Sequence, residues 1–148
     1  KKIILEPGRL LIGKAGLMLT NVEYIKKSEH KNFVIVDAAI NDLMRPSLYN
    51  AFHEVINLSN TQDSNDIFDI VGPICETGDF LAKDRNINVN QGDILAIMDA
   101  GAYGFSMSSN YNSRPRIPEV MVDKDEFYLI RERENFSDLI VHEEKFLK

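Results

Sequence analysis

The chain has 148 residues, 44% of them hydrophobic, and a net charge of −6. This length fits one domain with a sizeable core, and the acidic balance disfavours nucleic acid or an anionic membrane surface as the main partner. The single cysteine excludes an intrachain disulfide framework and favours a reducing, cytoplasmic compartment. No apolar run is long enough to cross a bilayer.

Short apolar segments separated by turn residues make up most of the first hundred residues. Pro46 can open a helical turn, which would place Arg45 and Tyr49 on one face. His53, four residues further along that face, is predicted to be a packed structural histidine. The pattern predicts strands at residues 3–5, 17–25, 33–36, 54–58, 67–71 and 94–98, and a helical turn at residues 10–15.

The last thirty or so residues predict a hairpin and a short helix. Residues 119–122 and 127–131 alternate as strands around a four-residue loop, and Ser137 is a candidate N-cap of a final helix. Strands at regular spacing with little helix indicate a mainly β fold, a barrel or sandwich with one or two short helices. No repeat and no metal-ligand cluster is present in the sequence.

A loop between two turn signals holds the only cysteine. Cys75 follows Gly72-Pro73-Ile74, and Gly78 and Asp79 come shortly after it. A lone cysteine is often a small buried hydrophobe, but a thiol between turn residues can instead be presented to a ligand. The adjacent Glu76 carboxylate keeps the proton on sulfur, which favours a proton donor over a nucleophile.

Arginine and tyrosine side chains recur where predicted elements end. Guanidinium groups pair carboxylates or phosphates through two parallel hydrogen bonds, so this pattern indicates an anionic small-molecule ligand. In Asp99-Ala100-Gly101-Ala102-Tyr103 the small residues let the backbone approach a ligand while the tyrosine reaches in. The other positions are Glu6-Pro7-Gly8-Arg9, Arg45 with Tyr49, Cys75 with Glu76, and Arg114 with Arg116.

Five motifs in this order resemble the C-terminal portion of the diaminopimelate decarboxylases, which belong to the PLP-dependent ornithine, diaminopimelate and arginine decarboxylases related to alanine racemase. The glutamate after the cysteine is typical of the diaminopimelate enzymes, whereas the ornithine and arginine enzymes usually carry aspartate there. The motifs are Glu6-Pro7-Gly8-Arg9, Arg45-Pro46-x-x-Tyr49, Gly72-Pro73-Ile74-Cys75-Glu76-x-Gly78-Asp79, Asp99-Ala100-Gly101-Ala102-Tyr103 and Tyr111-Asn112-Ser113-Arg114-Pro115-Arg116.

The resemblance implies a Greek-key β-barrel or sandwich at residues 10–148, like the alanine racemase C-terminal domain. Residues 1–9 would be the end of the last strand of a missing N-terminal (β/α)8 barrel. It also implies a homodimer with active sites at the subunit interface. The covalent PLP lysine of the family lies in the barrel, and no lysine of this chain sits in a matching motif. The chain is therefore expected to be an inactive fragment on its own.

The resemblance further implies a role for each site residue. Cys75 would be the proton donor, acting on the partner subunit's site with meso-diaminopimelate as substrate. Substrate would be bound by Arg9, Arg45, Tyr49, Glu76 and Tyr103, and PLP would be contacted by Glu6, Pro7, Gly8, Arg9 and Tyr103.

Two alternatives remain open from the sequence. One is a related decarboxylase with another amino-acid substrate, of the ornithine or arginine type. The other is a non-catalytic β domain used for binding or dimerisation.

Overall fold

The computed structural model describes residues 2–60, 62 and 66–146. It divides into two compact units, Lys1–Ser108 and Ser109–Lys148. The first unit is mainly β, with one six-stranded sheet in the order β3-β6-β1-β2-β4-β5. Its strands are β1 (Met18–Lys26), β2 (Asn32–Val36), β3 (Val55–Asn57), β4 (Ile67–Val71), β5 (Phe80–Asn86) and β6 (Ile94–Ile97).

All neighbouring strands of this sheet are antiparallel except β2 and β4, which are parallel. A parallel pair needs a crossover connection, and here the crossover contains the helix α2 (Arg45–Tyr49) and β3. Alternate residues of β1 point into the core, as expected for a strand with one solvated face. The fully buried aliphatic side chains include Val34, Val36, Leu43, Ile70, Leu81, Leu95 and Ile97.

Side chains connect the two edge strands, so the sheet is nearly closed into a barrel. Arg85 of β5 donates a hydrogen bond to the carbonyl of His53, just before β3, at 3.1 Å. Asn57 of β3 donates to the carbonyl of Asn88, just after β5, at 2.8 Å. These contacts link the sheet edges without a continuous strand-to-strand ladder.

The second unit contains a two-stranded hairpin and a short helix. The hairpin pairs β7 (Glu119–Asp123) with β8 (Glu126–Arg131). The helix α3 (Phe136–Ile140) begins with a capping box, in which the Asn135 side chain accepts from Ser137 N and the Asp138 carboxylate accepts from Asn135 N. This arrangement satisfies backbone donors that the first helical turn leaves unpaired.

The structure confirms a mainly β fold and most predicted strands. It contradicts several details. The hairpin loop is two residues long, the N-cap of α3 is Asn135 and not Ser137, and β5 was not predicted. Residues 3–5 form no strand, because no other described strand pairs with them.

Three short α-helices are described, α1 (Arg9–Ile12), α2 and α3, each overlapping a helical segment that the sequence predicted. Helix α2 ends at Tyr49, and the next residue, Asn50, adopts a left-handed conformation. His53 therefore lies beyond the helix and does not share the face of Arg45 and Tyr49. It is buried as predicted, and its Nδ1–H donates to the carbonyl of Met98 at 2.7 Å. No helix among the described residues is long and apolar enough to span a membrane.

Candidate functional site

The parallel pair of β2 and β4 places two loops side by side. Because parallel strands run in one direction, their carboxyl ends meet at the same edge of the sheet, where α/β proteins commonly bind ligands. Strand β2 ends at Val36 and leads through residues 37–44 into α2. Strand β4 ends at Val71 and leads directly into the cysteine loop.

Local hydrogen bonds fix the segment between β2 and α2. The carboxylate of Asp42 accepts from Ala39 N at 3.0 Å, and Asp42 N donates to the carbonyl of Ala39 at 2.9 Å. Leu43, fully buried, anchors the segment in the core. Pro46 stands in the first turn of α2, where its missing N–H costs nothing. These contacts hold in place the backbone that leads to Arg45.

Arg45 lies near two tyrosine rings. Its guanidinium carbon is 5.7 Å from the ring centroid of Tyr49 on the same helix and 5.5 Å from that of Tyr103. Both distances are within the range of cation–π attraction. Arg45 is half-buried, so the residue is not closed off from solvent. The structure therefore brings together three of the residues that the sequence singled out.

Tyr103 has a left-handed backbone, with φ of 61°. A bulky non-glycine residue rarely adopts this region, and such strain persists only where the surrounding structure imposes it. Its side chain is nonetheless 45% exposed. The chain thus holds a strained backbone that presents an exposed phenol ring, which is typical of a binding site.

Close backbone contact between Gly16 and Gly101 supports this strained loop. A Cβ on Gly16 would lie 2.6 Å from the Gly101 Cα, and a Cβ on Gly101 would overlap the Ile12 carbonyl. Ala100 N donates to the Gly16 carbonyl at 2.8 Å, and Gly101 N donates to the Gly13 carbonyl at 3.0 Å. The loop that carries Tyr103 is therefore packed on the segment that follows α1.

The residues 6–9 approach the same tyrosine. The Tyr103 hydroxyl is 3.9 Å from the position that a Cβ would take on Gly8. The missing Cβ lets the Gly8 backbone lie close to the phenol, whose hydroxyl can donate a hydrogen bond to an anionic group. Arg9 begins α1 and is exposed, and its Cγ would lie 3.2 Å from a Cβ on Gly13.

The cysteine loop presents its thiol outward. Cys75 is exposed and forms no disulfide, and Glu76 beside it is exposed as well. A Cβ on Gly78 would lie 3.0 Å from Glu76 Oε1 and 3.2 Å from the Ser47 hydroxyl of α2. The Glu76 carboxylate and the helix that bears Arg45 therefore meet at the bare backbone of Gly78.

Arg114 and Arg116 lie in the second unit, whereas the other candidate residues lie in the first. Arg116 is engaged by Glu134, with Nε donating to Oε1 at 2.7 Å and the backbone N donating to Oε2 at 2.8 Å. The hydrogen bond from Arg116 lowers the pKa of Glu134 to about 2. This arginine therefore has a structural partner within its own unit.

Sequence reasoning overlooked two residues of the site. Ser47 was treated as a spacer, and Asp79 was quoted as part of a motif without a role. Asp79 is 4% exposed and accepts hydrogen bonds from two backbone amides of the site loops. A carboxylate following glycine in a turn-rich loop is the one signal that could have identified it. No group of described acidic, histidine or cysteine side chains could hold a metal ion.

A family model described as "Pyridoxal-dependent decarboxylase, C-terminal sheet domain" matches residues 11–101. The chain therefore belongs to the family of pyridoxal-dependent decarboxylases, whose cofactor is PLP. The match runs from α1 to the loop that carries Tyr103, so it contains Arg45, Tyr49 and the cysteine loop.

Within that family the chain is similar to diaminopimelate decarboxylases. It is 54% identical to the enzyme of Vibrio cholerae over 138 residues, which cover 93% of this chain and 33% of the relative. The crystal structure of AQ1208 from Aquifex aeolicus matches with a TM-score of 0.90 at 53% identity, covering 95% of this chain and 35% of that one.

A second structural match is diaminopimelate decarboxylase from Helicobacter pylori, solved in complex with L-lysine. It gives a TM-score of 0.87 at 44% identity and covers 95% of this chain and 35% of that one. The chain thus spans about a third of the length of the relatives it matches.

Proposed function

We propose that this chain is the C-terminal part of a diaminopimelate decarboxylase, which converts meso-2,6-diaminopimelate to L-lysine and CO2 in the last step of lysine biosynthesis. The observation that carries the proposal is the convergence of Arg45, Tyr49 and Tyr103 next to the helix–loop contact at Gly78. The names of its relatives support the same substrate, and the Helicobacter pylori enzyme was solved with L-lysine, the product of the proposed reaction.

Arg45 and Tyr49 would hold a substrate carboxylate, with Arg9 as a second cation. A guanidinium group donates two parallel hydrogen bonds to a carboxylate, which fixes the orientation of the ligand as well as binding it. The rings of Tyr49 and Tyr103 near Arg45 restrict its rotation, so less entropy is lost when substrate binds.

Glu76 would bind the distal ammonium group of the substrate. Its carboxylate lies over the bare backbone of Gly78, close to Ser47. A carboxylate at this position favours a substrate with a positive charge far from the reacting carbon. A charge-assisted hydrogen bond between the two groups would strengthen the binding of such a substrate. Diaminopimelate has such a group.

Cys75 would supply the proton that completes the reaction. When the bond between Cα and the carboxylate breaks, CO2 leaves and an electron pair stays on Cα. The Sγ–H bond of Cys75 then breaks and its proton moves to Cα, after which the thiolate takes a proton from water. The exposed position of Cys75 fits a donor that must reach a site outside its own loop.

PLP, when bound, supplies the electron sink for that pair. Tyr103, Arg9 and the backbone of Glu6, Pro7 and Gly8 would contact the cofactor, because the Tyr103 hydroxyl can donate to a phosphate and lies close to the Gly8 backbone. The lysine that binds PLP covalently would come from an N-terminal barrel ending at residues 1–9. The working assembly would be a cytoplasmic homodimer in which Cys75 acts on the partner subunit's site.

The proposal is tested with the complete parent protein and with this chain alone. The parent should release CO2 from meso-diaminopimelate, and Cys75→Ala should lower kcat by at least about a hundredfold while PLP absorbance is retained. Thr77→Ala, a change on the same exposed loop, is the matched control and should keep most of the turnover.

Two results would contradict the proposal. One is PLP-dependent decarboxylation of meso-diaminopimelate by this chain alone. The other is equal loss of PLP binding and turnover in Cys75→Ala, which would indicate a structural role for the thiol.

A further inference from the structure

A buried carboxylate links the two loops of the candidate site. Asp79 is 4% exposed, and its Oδ2 accepts from Ile74 N at 2.7 Å while its Oδ1 accepts from Ile40 N at 2.8 Å. Burying a carboxylate is unfavourable unless hydrogen bonds compensate for the lost water. Here two backbone amides do so, through bonds of the short length that charge-assisted contacts have.

The two amides belong to different parts of the site. Ile74 directly precedes Cys75, and Ile40 lies in the segment between β2 and the helix that carries Arg45. The side chains of Ile40 and Ile74 are also buried in one apolar cluster with Ala39. One carboxylate therefore fixes the backbone of both segments relative to each other.

The chain accommodates this carboxylate by leaving space for it. A Cβ on Gly72 would overlap the carboxylate of Asp79 and would lie 2.7 Å from the Ala38 carbonyl. In addition, Gly72 N donates to the Asp79 carbonyl at 3.1 Å, which closes the base of the loop. Glycine at the start of the loop and aspartate at its end thus form a single structural unit around Cys75.

We propose that Asp79 is a positioning residue, which fixes the direction in which the loop presents the Cys75 thiol to the reacting carbon. This inference rests on the proposed function of Cys75 as proton donor. Proton transfer needs the donor within hydrogen-bond reach of the acceptor, and a misplacement of about 1 Å can cost about a hundredfold in rate. Asp79 would act through the backbone of Ile74, without touching substrate.

The test compares Asp79→Asn with Asp93→Asn in the complete parent protein. The amide in Asp79→Asn keeps the shape but places an NH2 group opposite one of the two backbone donors. Asp93 is the matched control, because its carboxylate also bonds a backbone amide, Asn90 N at 2.8 Å, and a side chain, Asn57 Nδ2 at 2.7 Å. It lies in the turn before β6 and not in the cysteine loop.

We expect Asp79→Asn to lower kcat by at least about tenfold with a smaller change in KM. The rate at which iodoacetamide alkylates Cys75, followed by mass spectrometry of its peptide, should rise because the loop is no longer fixed. Asp93→Asn should change neither quantity. If the two variants behave alike, or if Asp79→Asn leaves both quantities at wild-type values, the inference is wrong.

The variant Cys75→Ala shows whether a negative result contradicts only the inference on Asp79 or also the proposed function of Cys75. If Cys75→Ala keeps wild-type turnover, the proton-donor role falls, and so does the role of Asp79 in catalysis. If Cys75→Ala is inactive but Asp79→Asn is normal, only the inference on Asp79 falls.

Hydrogen exchange in the wild-type protein provides a second measurement if Asp79→Asn does not fold. The Ile40 and Ile74 amides should exchange as slowly as the sheet amide of Val34. Exchange of these two amides at the rate of an exposed loop would contradict the inference.

Discussion

The guanidinium group of Arg45 lies 5.5 Å from the ring centroid of Tyr103, so the helix after β2 meets the loop after β6 at this pair. The contact joins two motifs that are far apart in the sequence, the one containing Arg45 and the one ending at Tyr103. The distance is within the range of cation–π attraction.

Arg45→Lys tests the proposed role of this arginine. The change keeps the positive charge but removes the planar group and its two-bonded pairing with a carboxylate. In the proposed decarboxylation of diaminopimelate, we expect KM to rise about tenfold, with a smaller effect on kcat. Steady-state kinetics of the complete parent protein measures both. An unchanged KM would show that Arg45 does not bind the substrate.

Arg85→Lys is the complementary change at a structural arginine. Arg85 lies 4.1 Å from the ring centroid of Phe52 and donates to the carbonyls of His53 and Lys83. Burial lowers the pKa of Arg85. The variant should lose about 1–2 kcal/mol in the free energy of unfolding, measured by urea denaturation, while KM stays at the wild-type value. A change in KM without a loss of stability would contradict this assignment.

Gly101→Ala should destabilise the loop that carries Tyr103. A Cβ at this position would overlap the Ile12 carbonyl, and backbone cannot move aside cheaply. We expect a loss of about 2–3 kcal/mol in the free energy of unfolding. Gly92→Ala is the control: Gly92 has φ of 87° and no atom near its missing Cβ, so only backbone strain of about 1 kcal/mol applies. Equal losses in the two variants would show that the backbone around Gly101 shifts and removes the overlap with the added Cβ.

The contact between Arg116 and Glu134 makes stability depend on pH. The hydrogen bond from Arg116 lowers the pKa of Glu134 from 4.5 to about 2. A lowered carboxylate pKa gives stability that is present above the unfolded-state value and lost as pH falls through the folded-state value. The contribution is therefore complete above about pH 5 and lost towards pH 2.

Glu134→Gln measures that contribution. Because the pair is partly exposed, solvent screening limits its value to about 1 kcal/mol at pH 7. The stability difference between wild type and Glu134→Gln should shrink below pH 4.5 and vanish near pH 2. Glu119→Gln, which removes a more exposed contact with Arg131, is the control with a smaller effect. A difference that stays constant from pH 7 to pH 2 would contradict the assignment.

The sequence predicts those elements whose pattern is local. The β-branched run of β2 and the proline that opens α2 were both found from neighbouring residues. Strand β5 was missed because Lys83, Asp84 and Arg85 break its apolar pattern, and Asp84 has φ of 54°, a local irregularity that pairing with β4 tolerates.

The candidate site was predictable as a set of residues but not as an arrangement. Local spacing predicted that Arg45 and Tyr49 share a face, yet only the tertiary fold shows that the Tyr103 ring also lies near the Arg45 guanidinium group. The role of Asp79 as a link between loops depends on Ile40, whose distance along the chain hides the contact. The contact between Arg116 and Glu134 was not predicted either, because the two residues are remote in sequence.

The order of strands in the sheet has a consequence for how the chain folds during synthesis. The hairpin of β1 and β2 can form once Val36 has emerged from the ribosome, but the other edge of β1 pairs with β6, which ends at Ile97. Joining strands so far apart is slow, because a long loop must close before the pairing is gained. A nascent chain that stalls before Ile94 therefore leaves β1 as an open edge for aggregation with other chains.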